Sequence, residues 1–97
     1  MTGQVLTEVS AIVSADREAA LVAGYQRVIA GSLPDGLVRS ELLSGPGGSW
    51  RIQTLWRDQA ALDAMRSSPE PPAAPTLFRE VGAEPQLVVL GVVARLT

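Results

Sequence analysis

The residues best suited to chemistry in this chain are an indole, a phenol and a few hydroxyls. From Trp50 to Trp56 the side chains alternate, so Trp50, Ile52, Thr54 and Trp56 share one face of an extended segment. An indole closing such a face can stack on a flat aromatic ligand or donate its N–H to a ligand oxygen. The same ring serves equally as a core side chain that anchors the strand, and both roles stay open at Trp56. Tyr25 lies on a helical face with Leu21, Gly24 and Val28, where its hydroxyl orients a substrate oxygen or simply reaches water. Thr7 and Thr54 place hydroxyls on otherwise apolar strand faces, although β-branched Thr is also a good strand former. Arg39, Arg51 and Arg57 fall on strands, where pairing with Glu8 or Glu41 is a better account than an anionic substrate.

Absent residue types narrow the chemistry further. The 97 residues include no Cys, His, Asn or Lys, and all eight bases are arginines. There is accordingly no disulfide, no thiol nucleophile, no imidazole base and no Ser-His-Asp triad. Zinc, copper and heme iron lose their usual ligands, so no metal site is expected. Asp58 and Asp63 lie five apart on one helix and do not form a paired acid/base site. Ten acidic side chains against eight basic ones give a net charge of -2, which argues against nucleic acid or an anionic membrane as partner. The longest apolar run, Leu87 to Ala94, is too short to span a bilayer. Met1 to Ser10 lacks the basic start of a signal peptide, so a cytoplasmic location is expected.

The elements that must hold these residues can be read in order. Gln4 to Val13 alternates as a strand, with Val5, Thr7, Val9, Ala11 and Val13 on its apolar face. Ser14 offers a helix cap, and Gly31 and Pro34 close the helix that carries Tyr25. Leu37 to Ser44 is a second strand, and Gly45-Pro46-Gly47-Gly48 connects it as a hairpin to a third, Trp50 to Arg57. Asp58 caps a short helix, Gln59 to Arg66, that contains Met65. Ser67 to Pro75 carries four prolines and is predicted to be irregular, mobile and placed at the mouth of any cavity. Thr76 to Val81 forms a helical turn bearing Phe78, which is either pocket wall or core, as is Met65. Gln86 to Leu96 is a last strand, apolar on nearly every residue.

This order predicts a single α+β domain over residues 1–97, a ferredoxin-like βαββαβ fold with a four-stranded antiparallel sheet. A final strand apolar on both faces needs cover on both. Helices supply one cover, and a second copy of the chain supplies the other, so a homodimer with sheet facing sheet is expected.

The chain resembles the antibiotic biosynthesis monooxygenase family, of the dimeric α+β barrel superfamily. The likeness is carried by Pro34-Asp35-Gly36 before the second strand, by Thr54-Leu55-Trp56-Arg57-Asp58-Gln59-Ala60-Ala61-Leu62, and by the closing Pro85-Gln86-Leu87-Val88-Val89-Leu90. It implies a cavity between sheet and helices that holds a flat, quinol-like or polyketide-type aromatic molecule, oxidised there by O₂ without metal or flavin. Trp56 and Tyr25 become the catalytic candidates, and Thr7, Val9, Thr54, Met65 and Phe78 the substrate-binding ones. The heme-degrading branch of similar fold uses Asn, His and Trp together. Here only Trp56 matches, Val9 standing near the Asn position and Met65 where a His is common. Two other functions compete: a small-molecule binding dimer without turnover, and a related barrel cyclase or isomerase.

Overall fold

In the computed structural model, which describes residues 3–96, period-two patterning decides which way each strand faces. Strand β1 (Val5–Ile12) buries Val5, Thr7, Val9 and Ala11 and leaves Leu6, Glu8 and Ser10 half-buried on its other side. Strand β3 (Ser49–Trp56) buries Ile52, Thr54 and Trp56 together, as its alternation requires, with Trp50 half-buried beside them. Strand β2 (Leu37–Ser44) joins β3 through a short 3₁₀ turn, Pro46–Gly48, in which Gly47 and Gly48 both take positive φ. A fourth strand, β4 (Gln86–Gly91), completes a sheet in the order β2-β3-β1-β4, with every neighbouring pair antiparallel. Element order and sheet order together are those of a ferredoxin-like α+β fold.

Helices lie on one face of the sheet. A 3₁₀ turn, Ala15–Arg17, leads into α1 (Glu18–Ala30), which buries Leu21, Gly24 and Tyr25. Helix α2 (Gln59–Arg66) is capped as expected by Asp58, whose carboxylate accepts from the Ala61 N–H at 2.8 Å. Helix α3 (Ala73–Glu80) buries Leu77 and Phe78. Its closeness to α1 depends on Gly24, where a Cβ would stand 2.9 Å from the Leu77 Cδ2. The main core joins Val9, Ala11 and Ile52 of the sheet to Leu21, Tyr25, Leu77 and Phe78 of the helices. A second cluster gathers Val5, Trp56, Ala61 and Leu62, with Leu37 and Met65 at its edge.

Two expectations about element ends are corrected. The helix bearing Phe78 begins at Ala73, so the irregular stretch ends before Pro75. Pro75 falls in the first helical turn, where its missing N–H would have had no helical partner. The last strand stops at Gly91 rather than running to Leu96. Gly91 pairs with Val5, and the Val92 N–H reaches the Gln4 carbonyl at 2.9 Å, after which the chain has passed the start of β1. With no strand beside them, Val93 and Leu96 are 98% and 100% exposed.

Candidate functional site

The register of the sheet arranges its inner face in rows. Leu42, Ile52, Val9 and Leu87 stand side by side across the four strands. The next row is Ser40, Thr54, Thr7 and Val89, and beyond it lie Leu37, Trp56, Val5 and Gly91. A strip of three hydroxyls therefore crosses the buried face between two apolar rows. Strict alternation along β2 would not place Ser40 there. A bulge between Leu37 and Arg39 inserts Val38, so Arg39 sits opposite Leu55 and Ser40 opposite Thr54. Without that extra residue Arg39 would have faced Thr54 instead.

The hydroxyls are joined by hydrogen bonds. The Tyr25 hydroxyl donates to Ser40 Oγ at 3.0 Å, and Ser40 Oγ lies 3.2 Å from Thr54 Oγ1. On the other side the Trp56 Nε1–H donates to Thr7 Oγ1 at 3.1 Å, and Thr7 Oγ1 donates to the Thr54 carbonyl at 3.4 Å. Among the described residues every buried side-chain nitrogen or oxygen has a partner. Trp56 is 3% exposed, and its N–H is held inside the protein.

Over this strip lies a cavity of about 450 Å³ between the sheet and the helices. That volume is in the range of small-molecule sites. Thr7, Val9, Thr54 and Trp56 line it from the sheet, Tyr25 from α1 and Met65 from α2, six of the residues singled out in the sequence. Phe78 is placed differently. It is fully buried among Val9, Leu21 and Leu77 and does not reach the wall. Ser40 also lines the cavity and was missed, because the bulge breaks the alternation that would have revealed it. One signal was present: Leu37 and Leu42 are both half-buried at a spacing of five, which a regular strand cannot place on one face.

Charge is confined to Arg39 and Arg66 among the cavity-lining residues, and Pro72, Ala73 and Pro75 contribute apolar wall from the start of α3. The strand arginines pair locally: Arg39 with Glu41 at 2.8 Å and Arg51 with Glu8 at 2.9 Å. Arg57 instead approaches Asp58 at 3.6 Å and Asp35 at 4.0 Å. Trp50 donates to Glu18 at 2.9 Å, tying β3 to the first turn of α1. Among the described residues, no group of three or more Asp, Glu, His or Cys side chains is placed to hold a metal ion. Among the described residues no helix is long and apolar enough to cross a membrane.

No family model and no curated protein sequence matches the chain. Solved structures do. SnoaB, a cofactor-independent oxygenase from Streptomyces nogalater, superposes with a TM-score of 0.78 at 20% identity, covering 97% of each chain. Rv0793 from Mycobacterium tuberculosis gives a TM-score of 0.72 at 22% identity over 97% of this chain and 99% of that one. A Deinococcus radiodurans protein provisionally named an antibiotic biosynthesis monooxygenase gives 0.76 at 14% identity, over 96% of each chain. The chain thus has the fold of structures named as antibiotic biosynthesis monooxygenases, at 14% to 20% sequence identity.

Proposed function

We propose that this protein is a cofactor-independent monooxygenase that oxidises a quinol-like or polyketide-type aromatic molecule with O₂. The observation that carries the reading is the hydroxyl row facing an apolar cavity. Val would fill the Thr54 position with nearly the same shape and no polar group to bury, whereas the Thr7 hydroxyl also answers the Trp56 N–H. Hydroxyls kept there, linked to Tyr25 and Trp56, suit a ligand that is flat and apolar with oxygen on its rim. The fold shared with SnoaB, described as a cofactor-independent oxygenase, supports the same chemistry.

In such a reaction an electron-rich aromatic carbanion or phenolate gives one electron to O₂. The radical pair joins as a hydroperoxide, and loss of water leaves a carbonyl. A ring CH₂ thus becomes C=O, one oxygen atom entering the product and the other leaving as water. The residues' part is to hold the oxyanion form by hydrogen bonds and to keep bulk water from the intermediate. The Ser40–Thr54 pair would serve the first role, with Tyr25 holding Ser40 in place. Trp56, Val9 and Met65 would serve the second, with entry past the Ser67–Pro72 connection.

A homodimer belongs to this reading. All four large side chains of β4, Leu87 to Leu90, are 40% to 49% exposed in one chain, two on each face of the sheet. A second copy laid on the outer face would cover Val88 and Leu90 beside Leu6.

One observation favours a second reading, a dimer that binds its ligand without turnover. Among the described residues no carboxylate, thiol or imidazole lines the cavity to take a substrate proton. Oxygen uptake decides between the two. Incubation with anthrone, chelator present, should consume O₂ above the uncatalysed rate and yield anthraquinone. Saturable quenching of tryptophan fluorescence with no added O₂ uptake would establish the binding reading instead.

A further inference from the structure

The arithmetic of protons along the hydroxyl chain points to what the cavity expects at its polar wall. Tyr25, Ser40 and Thr54 carry three hydroxyl protons and are joined by two hydrogen bonds. Tyr25 spends its proton on Ser40. Between Ser40 and Thr54 one proton makes the shared bond, whichever oxygen donates it. Among the described residues neither oxygen has any further partner. One hydroxyl proton is therefore always left over, on Thr54 if Ser40 donates and on Ser40 if Thr54 donates. Both residues line the cavity. The indole cannot substitute for it, because the Trp56 N–H is taken by Thr7 and the Thr7 proton by the Thr54 carbonyl.

We infer that the Ser40–Thr54 pair is the anchor that selects the ligand, offering a single hydrogen bond to an acceptor oxygen such as a ring carbonyl or a phenolate. This rests on reading the cavity as the ligand site and adds the polarity of its recognition. A ligand carrying such an oxygen gains a bond in an otherwise apolar surround, whereas a pure hydrocarbon leaves the donor unmet. Because the spare proton passes from one oxygen to the other, loss of either end of the chain leaves it in place. In Thr54→Val the Ser40 proton is free, and in Tyr25→Phe the Ser40–Thr54 pair still has one proton in excess. Only removal of all three hydroxyls abolishes the donor.

The test uses 1-tetralone and tetralin, which differ by one carbonyl on the same bicyclic frame. Affinities are measured by tryptophan quenching for the wild type, Tyr25→Phe, Thr54→Val and the triple variant Tyr25→Phe/Ser40→Ala/Thr54→Val. The ratio of the two affinities within each protein, compared between proteins, cancels the ligands' own hydration. The two single variants should keep the wild-type ratio, and the triple variant should shift it toward tetralin by about fivefold. Should the triple variant not fold, the infrared carbonyl stretch of 1-tetralone in the wild type answers the same question. A stretch lowered from its position in an alkane supports the donor, and an alkane-like stretch overturns it. Binding of both ligands with the same ratio in wild type and triple variant would overturn the anchor while leaving the cavity as a ligand site. Failure of both ligands to bind would overturn the cavity reading and the anchor together.

Discussion

Two neighbouring rows of the same sheet face differ in that one carries hydrocarbon side chains and the other hydroxyls. The row Leu42–Ile52–Val9 packs against Leu21, Leu77 and Phe78, and Val9 and Ile52 present only hydrocarbon where they meet the cavity. One step along the strands, Ser40–Thr54–Thr7 faces open volume and binds its own hydroxyls together. Backbone and strand pairing are shared, so the difference lies in the side chains and in what the helices cover. Close packing accounts for the hydrocarbon of the first row. It gives no reason for the Thr54 hydroxyl in the second, which adds nothing to packing and must find a partner, whereas the Thr7 hydroxyl answers the buried Trp56 N–H.

The sharpest way to break this contrast is to carry the second row's chemistry into the first. Ile52 is 2% exposed, and the one polar side-chain atom among the buried members of its cluster is the Tyr25 hydroxyl, which is given to Ser40. Ile52→Thr removes apolar bulk and buries a hydroxyl with no planned partner, so it should cost about 2–4 kcal/mol of stability. Urea unfolding followed by circular dichroism measures it. A cost under about 1 kcal/mol would mean that the core tolerates hydroxyls as readily as the cavity wall does, and the contrast would collapse.

A second test asks whether the sheet's exposed outer face is covered by another copy. Leu90 stands opposite Leu6 on the face away from the helices and is 48% exposed in one chain. Sedimentation at low micromolar concentration should give about twice the chain mass. If Leu90 is buried at the interface at about 2–3 kcal/mol, Leu90→Asp should weaken association by roughly a hundredfold and leave a folded monomer. A wild-type monomer with a native spectrum would remove the dimer from the proposal.

Trp56 sharpens the comparison from the far side of the hydroxyl row, since it is wall and core at once. Trp56→Phe loses the bond to Thr7 and part of a ring that is almost wholly buried. The expected cost is about 1–3 kcal/mol, read as a lower melting temperature. Thr7 keeps its own bond to the Thr54 carbonyl, so the hydroxyl strip survives the change. Ligand affinity should then fall only through lost wall contact. A large loss of affinity with unchanged melting would instead make the indole N–H a direct ligand donor.

Much of this was legible in the sequence, for identifiable reasons. The inner faces of β1 and β3 follow from period-two alternation, which is strong when one side is buried. The Asp58 cap and the glycine-rich hairpin follow from local backbone chemistry that no tertiary contact overrides. Ser40 was hidden because one inserted residue, Val38, reverses the faces of β2 between its ends. Phe78 was assigned to the pocket or the core because its apolar spacing is the same in both, and only the path of α3 separates them. The end of β4 depends on where β1 begins, a long-range fact absent from the apolar run itself.

The smallest expected effect carries the most weight. Thr54→Val, measured in the same urea titration as Ile52→Thr, makes the opposite exchange one row away. The hydroxyl it removes bonds only Ser40, which keeps Tyr25 as donor and can turn its own proton to the cavity. No buried group is orphaned and the shape is nearly kept, so stability should change by less than about 1 kcal/mol in either direction. Selection for packing alone would gain nothing from Thr at this position, and its presence then points to a ligand. If Thr54→Val instead costs as much as Ile52→Thr, the hydroxyl row is a structural tie between β2, β3 and α1. The cavity would lose its polar wall as evidence of function, and the binding and oxygenase readings would fall with it.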